Sequence, residues 1–205
     1  MGSSRLPGKV MMEVNNKENV LDFVINQIKN AIMIDEIVVA TSNLIEDKII
    51  VEYLKKNNIK TFLGNPTDLL DRYFQCAKKF SYETIVRITA DNPLIDPKII
   101  DVVIKKIKNK EFDYVSNSLT RTFPHGTEVE VFSFNSLKDA WKNSRLPSER
   151  EHVTPYIKNH PEKFKIFNVE NNENYSQYRW TVDHLNDLKL VREITKRIES
   201  RPILI

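Results

Sequence analysis

Short β-branched runs alternate with amphipathic helical stretches along this 205-residue chain, and that alternation leaves few folds open. Residues 19–32 set Val20, Phe23, Val24, Gln27, Ile28 and Ala31 on one stripe at helical spacing. A strand-like run at 36–40 follows, then a helical stretch at 46–57, a strand at 61–63 ended by Gly64-Asn65-Pro66, and a helix at 68–80. Residues 84–89 read as a strong strand. Asp96-Pro97 then opens a helix running to about 108, with Asp as cap and Pro in the first turn. A strand at 114–117 completes the series. Strand–helix–strand succession predicts an α/β fold, with a mostly parallel sheet and helices on both faces. Beyond 117 the order changes. A β-ribbon is expected at 127–134, helices at 135–143 and 147–158, strands at 164–169 and 179–182, and a last helix from 186 to about 199. With no internal repeat and no linker, residues 1–205 read as one domain, in which 118–178 is a candidate region for acceptor recognition and a dimer contact.

Composition narrows the function. A net charge of +3 is small for this length and argues against a nucleic-acid binder. No apolar run approaches a membrane span, and no charged-then-apolar leader is seen, so a cytoplasmic protein is expected. The single cysteine, Cys76, forms no internal disulfide. It falls on an amphipathic helix with no His near it in sequence, and reads as a buried bystander.

The chemistry-bearing residues fall into three groups. Residues 2–9, Gly-Ser-Ser-Arg-Leu-Pro-Gly-Lys, form a small-residue loop with Arg5 and Lys9 as cations. Such a loop can wrap backbone N–H groups and positive charge around a phosphate chain; the other reading is a loose basic terminus. It matches neither the Walker loop nor the dinucleotide fingerprint. Asp91 follows the strand at 84–89, where open parallel sheets place their ligands, and a carboxylate there can hold Mg²⁺. Taken alone, Asp91 serves equally well as a turn cap. Asp96 reads as a plain helix cap. Asp183 stands in the same context after 179–182, and by itself reads first as a cap for the last helix. Arg121 and His125 lie in a turn-rich loop. Glu128 and Glu130 follow on one face of a strand, either lining a pocket or facing solvent. His125 and His152 are candidate contacts for a substrate or ordinary structural histidines.

Together these motifs resemble the sugar cytidylyltransferases. Residues 2–9 resemble that family's N-terminal signature, residues 86–96 (Val-Arg-Ile-Thr-Ala-Asp-Asn-Pro-Leu-Ile-Asp) its second, and Arg179-Trp-Thr-Val-Asp183 with Asp187-Leu188 its C-terminal metal-binding end. Glu149-Arg-Glu-His-Val-Thr-Pro-Tyr-Ile157 places the chain nearest the spore coat polysaccharide biosynthesis branch, related to the acylneuraminate and 3-deoxy-manno-octulosonate enzymes. The resemblance implies a Rossmann-like sheet of the nucleotide-diphospho-sugar transferase type. It also implies CMP transfer from CTP to a sugar, an acidic one, with release of pyrophosphate, for surface polysaccharide or glycan synthesis. On that reading Gly2, Ser3, Ser4, Arg5 and Lys9 cradle the triphosphate, and Asp71, Arg72 and Thr89 lie by the base. Asp91 and Asp183 hold Mg²⁺. Arg5, Lys9 and Asp91 act in catalysis, and Arg121, His125, Glu128, Glu130 and His152 face the sugar.

One departure stands out. In the family an apolar strand precedes the phosphate loop, and here the loop starts the sequence. The first strand is therefore expected to be missing, and the chain to fold poorly or be inactive. Two rival functions follow: a glycosyltransferase using a nucleotide sugar, against which the lack of an Asp-x-Asp after a strand counts, and an inactive nucleotide-binding remnant.

Overall fold

The computed structural model describes residues 2–108, 111–198 and 202–203. Several of its helices start at a side-chain cap. Helix α1 (Val20–Ile28) opens on Asn19, whose side chain accepts from the Asp22 N–H while Asp22 accepts in return from Asn19. After strand β1 (Val38–Ser42) and helix α2 (Lys48–Lys56) comes β2 (Lys60–Gly64). Asp68 caps α3 (Leu69–Phe80). Strand β3 (Thr84–Arg87) leads to α4 (Pro97–Lys108), where Asp96 accepts from the Lys98 N–H at 2.7 Å, as a cap should.

Strands β1 and β2 pair in parallel as one sheet. The second sheet has the order β3-β5-β4-β6, built with β4 (Tyr114–Ser116), β5 (Glu130–Ser133) and β6 (Ile166–Asn168). Strand β5, the expected ribbon, runs antiparallel to both β3 and β4, so β3, β4 and β6 all point one way. One face packs against α3 and α5 (Phe134–Asn143) through Phe74, Tyr114, Phe132 and Leu137; the other packs Val115 and Val131 against Ile100 and Val103 of α4. The sheet thus carries helices on both faces, as alternating patterns require. Among the described residues no strand joins the two sheets. The loop at 2–9 is pinned by Leu6, which is 7% exposed and packs with Phe23, Leu94 and Val182. Burying one Leu contributes about 1.5–3 kcal/mol.

Three sequence expectations are revised. The helix foreseen at 147–158 is two: α6 (Pro147–His152) and α7 (Pro155–Asn159). The break falls at fully buried Val153, which adopts φ 73°, a strained value for a β-branched residue, and Pro155 then restarts the helix in its first turn. The strand foreseen at 179–182 is only a single parallel bridge, Arg179 to His125, because the chain then changes partner and Val182 N–H bonds to Asp91 O at 2.8 Å. The last helix, α8, spans Leu185–Arg197; residue 199 lies outside the described residues.

Candidate active site

The loop that the sequence offers to phosphate folds into turns and then a single 3-10 turn at Lys9–Met11, entered through Gly8 at φ 73°. A left-handed φ of that size is a glycine position. Lys9 is 9% exposed, and its Nζ donates to Asp91 Oδ2 at 2.6 Å and to Asp183 Oδ1 at 2.9 Å. The two carboxylates, far apart in sequence, therefore meet on one ammonium. Backbone holds them there: Val182 N–H and the Thr181 hydroxyl both donate to Asp91 O.

Asp183 is free for this role because another residue does the capping. Asp187 Oδ2 accepts from the N–H groups of Asp183 and His184, each at 2.8 Å, at the start of α8. Asp183 Oδ1 then takes Arg5 Nη2 at 2.6 Å besides Lys9, and Oδ2 takes the Arg179 guanidinium. Burial alone would raise its pKa. The hydrogen bonds from Lys9 and Arg179, with the charges of Lys9 and Arg5, outweigh burial and hold the carboxyl below its ordinary range.

Beside this cluster opens a cavity of about 500 Å³, lined by Gly2, Val10, Ala40, Thr41, Arg72 and Ala90 among others. Val10 and Ala90 are the chain neighbours of Lys9 and Asp91, so the cavity and the ion cluster adjoin. Arg72 folds back to donate to Asn65 O and Pro66 O, and lies so close that a Cβ on Gly64 would stand 2.7 Å from its Cγ. Ser3 Oγ is engaged within the loop, accepting from the Leu6 N–H. Ser4 is exposed on the same loop, and Thr89 is half-buried in the turn before Asp91, its carbonyl accepting from Asn92 N–H. Asp71, which the sequence places by the base, turns away: its Oδ1 accepts from Trp141 Nε1 at 2.8 Å and from Gln75. The indole supplies a partner that the local helix pattern does not reveal.

The expected acceptor residues divide. Glu128 gathers the loop before it, accepting from Arg121, from the Gly126 N–H at 2.9 Å and from Asn92 at 3.2 Å. His125 pairs by backbone with Tyr178 and Trp180 on either side of Arg179. Burial lowers the His125 pKa, and Arg121 and Arg179 add to this against the pull of Glu128. Its Nδ1 lies 3.8 Å from Glu128 Oε1, an ion pair only when the imidazole is protonated. Arg121, His125 and Glu128 accordingly stand beside the residue that grips Asp183. Glu130 does not join them. It is 5% exposed, ion-paired to its cross-strand partner Arg87, and accepts from Tyr114 Oη and Thr154 Oγ1, each at 2.6 Å. Its place is structural, because the β3–β5 register sets it opposite a buried guanidinium. His152 is exposed at the end of α6, and no hydrogen bond or ion pair links it to the cluster among the described residues. Cys76 is buried, and burial pushes its thiol up to about 11, so it is no nucleophile.

Sequence reasoning passed over Arg179, Asp187 and Asn92. All three sit in segments already noticed, Asn92 in the second signature and the other two four residues either side of Asp183 in the segment resembling the metal-binding end, but no side-chain role was assigned to them. Gly126 has φ +97°, and a Cβ there would lie 2.5 Å from the Thr181 backbone nitrogen. Gly126→Ala is expected to cost about 1–3 kcal/mol, because a backbone neighbour cannot yield as a side chain can. A thermal melt matching the wild type would refute this close approach.

A family model described as cytidylyltransferase matches residues 1–199. The uncharacterized protein MJ1063 of Methanocaldococcus jannaschii is 38% identical over 97% of this chain and 81% of its own. The spore coat polysaccharide biosynthesis protein SpsF of Bacillus subtilis is 30% identical over 98% of this chain and 85% of its own. A solved cytidylyltransferase from Leptospira borgpetersenii superposes with a TM-score of 0.92 at 34% identity, covering 98% of this chain and 84% of that one.

Proposed function

The chain belongs to the cytidylyltransferase family, and from that premise we propose that it transfers CMP from CTP to an acidic sugar, releasing pyrophosphate, in the cytoplasm for surface polysaccharide or glycan synthesis. The observation that carries this reading is the meeting of Arg5, Lys9, Asp91 and Asp183 beside the 500 Å³ cavity.

The donor set suits Mg²⁺. Two carboxylates converge on one point, and Mg²⁺ typically takes one or two carboxylates together with substrate phosphates and water. Asp91 and Asp183 would hold the ion, which when bound neutralises phosphate charge. Arg5 and Lys9 bind the triphosphate and stabilise the negative charge on the α-phosphate oxygens and the departing pyrophosphate as the sugar oxygen attacks the α-phosphorus. Arg121, His125 and Glu128 orient the sugar for in-line approach.

No helix among the described residues is long and apolar enough to cross a membrane. The test is pyrophosphate release from CTP across a panel of acidic sugars. Asp91→Asn is expected to lower that rate about 10²-fold. Hydrolysis of a nucleotide sugar without use of CTP would instead support the glycosyltransferase reading.

A further inference from the structure

One cation at the site belongs to neither the phosphate loop nor the acceptor loop. Arg179 is tied by its backbone to the acceptor loop: it bridges His125, flanked by His125 N–H to Tyr178 O at 2.9 Å and Trp180 N–H to His125 O at 2.7 Å. Its side chain reaches the other way. Nη2 donates to Asp183 Oδ2, and Nε lies 3.6 Å from Asp187 Oδ1. Asp187 is itself fixed, since its other oxygen accepts two backbone N–H groups at the start of α8. A relay thus runs from the first turn of α8 through Asp187 and Arg179 to Asp183, and on through Lys9 to Asp91.

We infer that Arg179 is a positioning residue that fixes the orientation of the Asp183 carboxylate and couples it to the seating of the acceptor loop; the inference rests on the reading of Asp183 as a ligand of the Mg²⁺–CTP complex. A carboxylate torsion is broad when unrestrained. With Oδ2 held by Arg179, Oδ1 is left facing Lys9 and Arg5, on the side of the phosphate loop. A planar guanidinium presents its donors in a rigid fork, which fixes the angle between the two carboxylates it reaches, whereas the donors of an ammonium rotate. The same fork makes the geometry at Asp183 depend on the Arg179 backbone, and so on His125.

The experiment compares wild type, Arg179→Gln, Arg179→Lys, Asp187→Asn and the Arg179→Gln/Asp187→Asn double variant. Mn²⁺ binding is followed by electron paramagnetic resonance with and without CTP, steady-state constants are measured for CTP and for the sugar, and thermal melts are recorded. Arg179→Gln is expected to weaken Mn²⁺ binding in the presence of CTP about tenfold and to raise the KM for the sugar more than that for CTP. Arg179→Lys should recover less than half of the loss, and the double variant should be no worse than the worse single. Full rescue by Lys, additive losses, or Mn²⁺ binding unchanged in Arg179→Gln would overturn the inference while leaving the cytidylyltransferase reading intact. A melt lowered in parallel with every binding loss would also overturn it, assigning Arg179 to stability alone. A wild-type chain that binds no CTP would remove the reading itself, and the inference with it.

Discussion

Lys9→Met is expected to lower CTP-dependent pyrophosphate release by about 10³-fold, at the upper end of what removing one preorganised charge donor costs. The ammonium is nearly buried and makes two short contacts, at 2.6 and 2.9 Å, with carboxylates that nothing else holds together so directly. Without it, Asp91 and Asp183 face each other across a gap where like charges repel, and Asp183 loses one of the bonds that keep its pKa low. On the proposed function, the phosphate contact and the carboxylate geometry fail together. Lys9→Arg should rescue poorly, because a planar fork cannot occupy the point position of an ammonium between two oxygens. Single-turnover rates with saturating CTP are the proper measure; a Lys9→Met variant within tenfold of wild type would remove Lys9 from the catalytic machinery.

Glu130→Gln is expected to destabilise the fold by about 3–5 kcal/mol, as breaking a buried ion pair leaves an uncompensated charge. In a chain of this size that lowers the melting temperature by about 10 °C. The charge left behind is on Arg87, whose Nε already has no partner and whose guanidinium is ion-paired with Glu130. The sign of the pH dependence follows. Burial would raise the Glu130 pKa, but Arg87 and Lys158, with hydrogen bonds from Thr154 and Tyr114, hold it below its ordinary 4.5. A depressed folded-state pKa gives stability that is complete above the unfolded value and lost as pH falls through the folded one. The gap between wild type and variant should therefore be constant near neutrality and narrow below about pH 4.5. A double change to apolar residues at both positions should cost less than Glu130→Gln alone. Melts from pH 7 to pH 3 decide the matter, and a gap that widens on acidification would sink the assignment.

These two residues also show how far the chain could be read unaided. Asp91 and Asp183 were legible as carboxylates following strand-like runs, and their shared context pointed to one centre; the structure sets both on Lys9. Glu128 and Glu130 share a period of two, which puts them on one face but not in one environment. Strand pairing decides the environment, and the partner of Glu130 lies 43 positions away, on β3. Asp71 was lost in the same way, to an indole 70 positions distant. The break at Val153 was invisible to periodicity, because α6 and α7 each keep their own helical pattern while one residue between them leaves it. Local pattern locates elements; contacts made across the sheet decide which of their polar residues face a ligand and which face the core.

The ion cluster has a consequence in time. Asp183 follows Lys9 by 174 positions. At about 5–20 residues per second, synthesis takes roughly 10–35 s to carry the chain from one to the other. The residues of the loop at 2–9, α1 and the first sheet are all synthesised long before the Asp183 carboxylate. Of Phe23, Leu94 and Val182, on which Leu6 packs, only Val182 is late, directly preceding Asp183. The ion cluster therefore closes only after most of the chain has been made, and contributes nothing to the earlier steps of folding.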